Sequence, residues 1–213
     1  MTLDDLRMRL APLVAEAAVF DGWSTQAVRA AAEQAEVDAD VAAYAFRGGA
    51  MDMITAWIAS IDRAMVQALP AADLANYPIR ERIRRLVQFR LDAQAGREEA
   101  LSRALAILAM PQNAAAAVKL GWRSADVMWR QAGDRATDYN HYTKRAILSG
   151  IYAATLAVFA DDDSPGKSDT RAFLDRRIEG IIKFEKAKAR LVRPADDRFS
   201  MARFLGRLRY PAR

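Results

Sequence analysis

The chain has 213 residues, 52% hydrophobic and 28% charged, a composition that fits one globular domain or two small ones and excludes a chain too polar to bury a core. It contains no Cys and a single His, which removes disulfide frameworks, thiolate metal clusters, Cys nucleophiles and two-His zinc motifs. The net charge of +5 is unevenly spread: residues 1–60 carry −5, residues 61–182 carry +3 and residues 183–213 carry +7, so the last segment alone makes the protein basic and points to an anionic partner.

Ala supplies 45 residues against 10 Gly and 7 Pro, which biases the backbone towards helix with few interruptions and predicts an all-α protein. Leu3, Leu6, Leu10, Leu13, Val14, Ala17 and Ala18 recur at three- and four-residue spacing, predicting a first helix to about Phe20 that ends at Asp21-Gly22. Ser24 can cap a second helix to about Glu36, and Asp38 a third to Phe46. Longer helices are expected over Met51 to Leu69, Ile79 to Gln94, Glu98 to Ala109, Ala114 to Gln131, Asp138 to Ala160 and Ser168 to Val192, separated by loops at Pro70, Pro78 and Pro111. With a last short helix beyond Pro194 the count is about ten, without internal repeats or strand-like alternation. The longest uncharged stretch, Ala146 to Ala160, would rise about 22 Å as a helix against a hydrocarbon core of about 30 Å, so it reads as a buried core helix. The N-terminus carries Asp4 and Asp5 and no following apolar run, which is unlike a signal or transit peptide and leads to the expectation of a cytoplasmic protein.

The first three helices, through Gly22, Thr25, Ala32, Val37, Tyr44 and Phe46, resemble the helix-turn-helix head of TetR-type repressors. The third helix, however, offers Asp38 and Asp40 and no base, within a segment, residues 1–60, of charge −5, so its electrostatics oppose duplex binding and no nucleic-acid partner is expected.

A longer pattern starts at Gly121. Met128-Trp129-Arg130-Gln131-Ala132-Gly133-Asp134 is followed by Thr137-Asp138-Tyr139-Asn140-His141-Tyr142-Thr143-Lys144-Arg145, then by Asp161 to Ser164 and Thr170 to Ile178. From about Val118 to Phe184 this resembles the Coq-nine family, lipid-binding accessory proteins of ubiquinone (coenzyme Q) biosynthesis. The resemblance implies a TetR-like dimer that has lost DNA binding, holds an isoprenoid or quinone lipid in an apolar cavity, and serves the di-iron hydroxylase acting on demethoxyubiquinone. One departure is His141, where many members carry Trp at the surface assigned to the hydroxylase.

The residues by themselves leave two readings of this segment open. Tyr139, Tyr142, Ala146, Ser149, Gly150 and Ala153 suit either a subunit interface or a ligand wall. Trp122, Met128 and Trp129 suit either a core or an adaptable lipid pocket. Helical phase proposes Leu86, Phe89, Met128, Leu148, Ile151 and Tyr152 as lipid-binding residues. The resemblance, with alternating charged and aromatic residues, proposes Asp126, Arg130, Asp138, His141 and Tyr142 as the partner face. Asp134, Asp138 and His141 are too sparse for a metal site, and Asp161 to Asp163 lack a Ca-loop pattern and read as a solvated turn. Without Gly-rich phosphate loops or paired Glu-x-x-His motifs, no catalytic residue, metal or cofactor is assigned, and a non-enzymatic carrier is expected.

In the last segment Met201, Phe204, Leu205 and Leu208 share about 100° of helical arc while Arg203 and Arg207 lie opposite, an arrangement suited to an anionic bilayer surface. The expected organisation is a helix-turn-helix-like head at 1–48, an all-α lipid-binding and dimerisation body at 49–193, and an amphipathic membrane-associating helix at 194–213. The expected whole is a homodimer peripheral to the inner face of the cytoplasmic membrane. The alternative is a TetR-type transcriptional regulator answering to a lipid effector.

Overall fold

The computed structural model describes the backbone of residues 2–134 and 139–191, and the side chains of 2–134 and 141–180. Among the described residues the chain forms ten α-helices and no strand. One compact unit spans Met1–Asp175.

Helix α1 (Leu3–Asp21) begins with a reciprocal cap: Thr2 Oγ1 accepts from the Asp5 N–H at 3.1 Å, and the Asp5 carboxylate accepts from the Thr2 N–H at 3.1 Å. Its buried stripe is Leu6, Leu10, Ala11, Val14, Ala15 and Ala18, the stripe expected from the spacing. Gly22 stops it at φ +67, donating to the Ala18 carbonyl. Ser24 caps α2 (Thr25–Gln34) and Asp38 caps α3 (Ala39–Ala45), whose Asp40 and Val41 N–H groups donate to the Asp38 carboxylate at 2.9 and 3.0 Å.

Two of the four Arg residues of this acidic head are committed to holding it together. Arg7 Nε donates to the Ala45 carbonyl and Arg9 Nη2 to the Ala35 carbonyl, each at 2.6 Å, so α1 supplies cations to the C-terminal ends of α3 and α2. Arg47 stacks on Tyr44. The outer face of α3 shows Asp40, Val41, Ala43 and Tyr44 to solvent.

The body comprises α4 (Ala50–Ala68), α5 (Ala71–Leu74), α6 (Ile79–Asp92), α7 (Glu98–Leu108), α8 (Ala114–Gln131), α9 (Tyr139–Asp161) and α10 (Ser168–Leu191). The unforeseen α5 lies between Pro70 and Pro78 and buries Leu74; four residues are too few to show a period. Head and body meet at Trp23, whose Nε1 donates to the Ala100 carbonyl on α7 at 2.9 Å while its ring lies 5.2 Å from that of Trp57 on α4. Among the described residues no single helix is long and apolar enough to cross a membrane. The amphipathic segment expected at 194–213, with Met201, Arg203, Phe204, Leu205, Arg207 and Leu208, lies outside the described residues.

The Asp161 to Asp163 turn differs from expectation. Asp162 is buried, and its carboxylate accepts from the N–H and hydroxyl of both Ser164 and Thr170, tying the end of α9 to the first turn of α10. A turn at Pro165–Lys167, with Gly166 at φ +62, folds these donors back over the carboxylate. Burial works against ionisation, but the hydroxyl and backbone hydrogen bonds outweigh it and hold the Asp162 carboxyl well below the ordinary carboxylate range.

A carboxyl whose pKa is depressed on folding stabilises the protein above its unfolded value and loses that contribution as pH falls. Asp162→Ala is therefore expected to cost about 1.5–3 kcal/mol at pH 7 in urea unfolding. The gap between variant and parent should shrink as pH drops below about 4.

Candidate functional site: an apolar cavity and an ionic joint

Five helices of the body enclose a cavity of about 270 Å³. Ile54, Trp57, Ile58 and Ile61 of α4 form one wall, and Leu101, Ala104, Leu105 and Leu108 of α7 another. Arg90 on α6 and the neighbouring Gln94, together with Leu120 and Ser124 of α8 and Tyr152 and Leu156 of α9, complete it. Gly121 lets α8 and α9 approach closely, since a Cβ there would stand 2.7 Å from Ser149 Oγ.

Most of the lining is aliphatic or aromatic, as a site for a hydrocarbon ligand requires. Its polar members are joined to one another. Arg90 is 1% exposed, pairs with Asp62 through Nη1, donates from Nη2 to Ser124 Oγ at 3.0 Å, and lies 4.8 Å from the centre of the Tyr152 ring. Gln94 donates to the Arg90 carbonyl at 2.7 Å and to the Tyr152 hydroxyl at 3.4 Å. Burial pushes the Asp62 carboxyl above its ordinary pKa, and the Arg90 charge and hydrogen bond pull it back.

Of the six lipid-binding candidates, Tyr152 lines this cavity. Leu86, Met128 and Leu148 are buried in the core, and Phe89 and Ile151 are half-buried, all outside the lining. The difference is one of phase and of a missed element. On α9 the cavity takes Ser149, Tyr152, Ala153 and Leu156, the face adjoining Leu148 and Ile151, and on α8 it takes residues one to three turns before Met128. The α7 wall could have been read from Leu101, Ala104, Leu105 and Leu108, a clean three-four spacing.

A second cluster joins α8 to α9. Gly133 sits at φ +90, and the Gly133 and Asp134 N–H groups bond back to the Arg130 and Trp129 carbonyls at 3.0 and 2.9 Å, the glycine-ended helix stop that explains Ala132-Gly133-Asp134. This delivers Asp134 to Arg145, which is 1% exposed and donates to Asp134 at 3.1 Å, to Asp126 at 2.6 Å and to the His141 carbonyl at 3.1 Å. Lys144 reaches Asp134 at 2.8 Å, and Trp129 Nε1 donates to the Lys144 carbonyl at 3.0 Å.

The residues expected at a partner face are placed differently from one another. Asp126 is drawn inward to Arg145 and also holds Arg130, so it belongs to the helix joint. Arg130 and Tyr142 are exposed and His141 half-buried; Tyr142 packs edge-on to His141 at 5.1 Å and lies 6.0 Å from Trp122. Asp138 lies outside the described residues. Among the described residues no group of three or more His, Asp or Glu side chains is arranged to hold a metal ion.

The COQ9 family profile matches residues 114–185, a span containing the Arg145 joint and the α8 and α9 walls of the cavity. Residues 114–185 belong to the COQ9 family. The ubiquinone biosynthesis protein COQ9, mitochondrial, of Rattus norvegicus is 48% identical over 80 residues, 38% of this chain and 26% of that protein. The protein of the same name from Xenopus tropicalis is 30% identical over 164 residues, 74% of this chain and 51% of its own length, and that of Homo sapiens 29% over 185 residues, 84% and 58%. The chain thus spans about half the length of these last two COQ9 relatives. A TetR transcriptional regulator from Nitrosomonas europaea superposes with a TM-score of 0.64 at 23% identity, covering 82% of this chain and 97% of that one, which shows the TetR-like fold. The expected cytoplasmic location, peripheral to the inner face of the cytoplasmic membrane, is overturned by these relatives, which are named mitochondrial proteins.

Arg145→Met leaves Asp126 and Asp134 in a buried joint with their main partner removed, and is expected to cost about 3–5 kcal/mol in urea unfolding. Tyr142→Ala, at a side chain 61% exposed, should leave the unfolding midpoint nearly unchanged.

Proposed function

We propose that this chain is a non-catalytic accessory protein of ubiquinone biosynthesis that binds a polyprenylated quinone intermediate and presents it to the di-iron demethoxyubiquinone hydroxylase. The observation that carries the reading is the apolar cavity, two of whose walls, α8 and α9, lie in the COQ9 region. Each CH₂ of a prenyl tail moved from water into such walls contributes about 0.8 kcal/mol. The names of the COQ9 relatives supply the pathway.

The hydroxylase contact is assigned to Arg130, His141 and Tyr142, the outward members of the partner face. Homodimerisation is assigned to α9, whose Ala146, Gly150, Ala154 and Ala157 form an exposed row of small residues suited to close helix approach. Attachment to an anionic bilayer is assigned to the Arg-rich 194–213 segment. The rival reading, a DNA-binding regulator, is favoured by the structural neighbour, itself a TetR transcriptional regulator. It is opposed by the acidic outer face of α3 and by the engagement of Arg7 and Arg9 within the head.

Lipid extracted from the purified chain should contain isoprenoid or quinone species by mass spectrometry, and Leu105→Trp, which fills the cavity, should lower that content several-fold. Protein isolated from membranes without any lipid, or tight sequence-selective binding to duplex DNA at moderate salt, would overturn the proposal. Tyr142→Ala should weaken co-purification of the hydroxylase while the helical signal stays intact. Deletion of residues 195–213 should sharply lower liposome binding and spare the lipid content of the body.

A further inference from the structure

The cavity has two chemically different ends. Leu105, Leu108 and Leu156 are half-buried and Ala109 and Ala153 exposed, so the α7, α8 and α9 side forms an apolar mouth. The α6 side is closed and polar: Arg90, Gln94, Ser124 and Tyr152 are each buried and connected to one another. Among the described residues of the lining, Arg90 is the sole charged one. Its Nη1 and Nη2 donate to Asp62 and Ser124, but its Nε–H is buried with no hydrogen-bond partner among the described residues. A buried donor of that kind is costly unless something accepts from it.

The Arg90 charge is already matched by Asp62. An anionic head entering this end would place a second negative charge beside the Asp62 carboxylate in a water-poor site, whereas a neutral carbonyl, ether or phenolic oxygen would accept from Nε–H without that repulsion. The volume of about 270 Å³ lies just below the range of small-molecule sites, roughly 300–1,000 Å³, so it suits a ring and the start of a chain and is too small for a long tail.

We propose that the cavity takes its ligand head first: the oxygenated ring of a neutral quinone- or phenol-type lipid sits at Arg90 and accepts a hydrogen bond from its Nε–H, with the hydrocarbon tail leaving between α7 and α9. The proposal rests on the lipid-binding reading above and specifies its ligand class and orientation. Fatty acids and phospholipid phosphates are selected against by the same Asp62 that keeps Arg90 neutralised. Tyr152 and Gln94 position the guanidinium, through its face and its backbone carbonyl.

The test uses the full chain, stripped of co-purified lipid, and three probes with the same ten-carbon tail: decyl-1,4-benzoquinone, decylbenzene and decanoate. Each is partitioned between protein and neutral vesicles. The parent should bind the quinone about tenfold more tightly than decylbenzene, and decanoate most weakly. Because Arg90→Met alone strands the Asp62 carboxylate and endangers folding, the informative variant is Arg90→Met with Asp62→Leu, which removes the pair together. It should lose the quinone preference while keeping decylbenzene affinity and its helical signal. Equal binding of quinone and decylbenzene by the parent, preference for decanoate, or a quinone preference that survives in a folded double variant would each overturn the head-first assignment and leave the lipid-binding reading standing. Failure of every probe to bind the parent, with Leu105→Trp making no difference, would overturn both.

Discussion

A guanidinium held between two carboxylates decides how α8 and α9 meet. Arg145 is nearly inaccessible to solvent, and its charge is tolerable there because Asp126 and Asp134 face it from α8 and from the turn that ends it. Such a joint adds little net stability over an apolar one, but breaking it is expensive, so it fixes a single register between the two helices. That register sets Gly121 against Ser149 and brings Ser124 and Tyr152 to the same end of the cavity. The geometry of the cavity wall follows from an ionic contact that lies outside the cavity lining.

The head repeats this economy of charge at lower density. A TetR-like head normally exposes cations where its third helix would meet phosphates, yet here Arg7 and Arg9 satisfy helix-end carbonyls and the outer face of α3 remains acidic. The head also has a packing role: α1 lies against both α2 and α4, and Trp23 bonds across to α7. The head therefore closes one side of the body.

Helix positions were legible because their determinants are local. Ser24, Asp38 and Gly22 act within a turn of their own backbone, and the apolar stripe of α1 is a matter of spacing alone, so sequence and structure agree there. The family region was legible because Met128 to Asp134 and Tyr139 to Arg145 contain several uncommon residues in a fixed order. The cavity was much less so. Its lining depends on how five helices are rotated about their axes, and a rotation of one residue exchanges Leu148 for Ser149 and moves the wall to a neighbouring face. Polar residues misled in the other direction. Nothing in the run Asp161-Asp162-Asp163 distinguishes the central carboxylate that becomes buried, because its donors, Ser164 and Thr170, are brought together by the turn at Gly166. Arg90 likewise sits in an Arg-rich helix whose other cations are less buried, and its burial is decided by Asp62, 28 positions earlier.

The pairing of Trp23 with Trp57 has an optical consequence. Both indoles are almost fully buried, and Trp57 forms part of the cavity wall while Trp23 bonds to the backbone of α7. The other two tryptophans, Trp122 and Trp129, are half-buried on α8 and absent from the lining. A chromophore entering the cavity thus comes up against one indole coupled to a second at 5.2 Å, with the remaining pair outside the wall as an internal reference. The intrinsic emission of the chain carries a built-in reporter of occupancy, and a redox-active ring in that position would quench it in a way that a saturated chain could not.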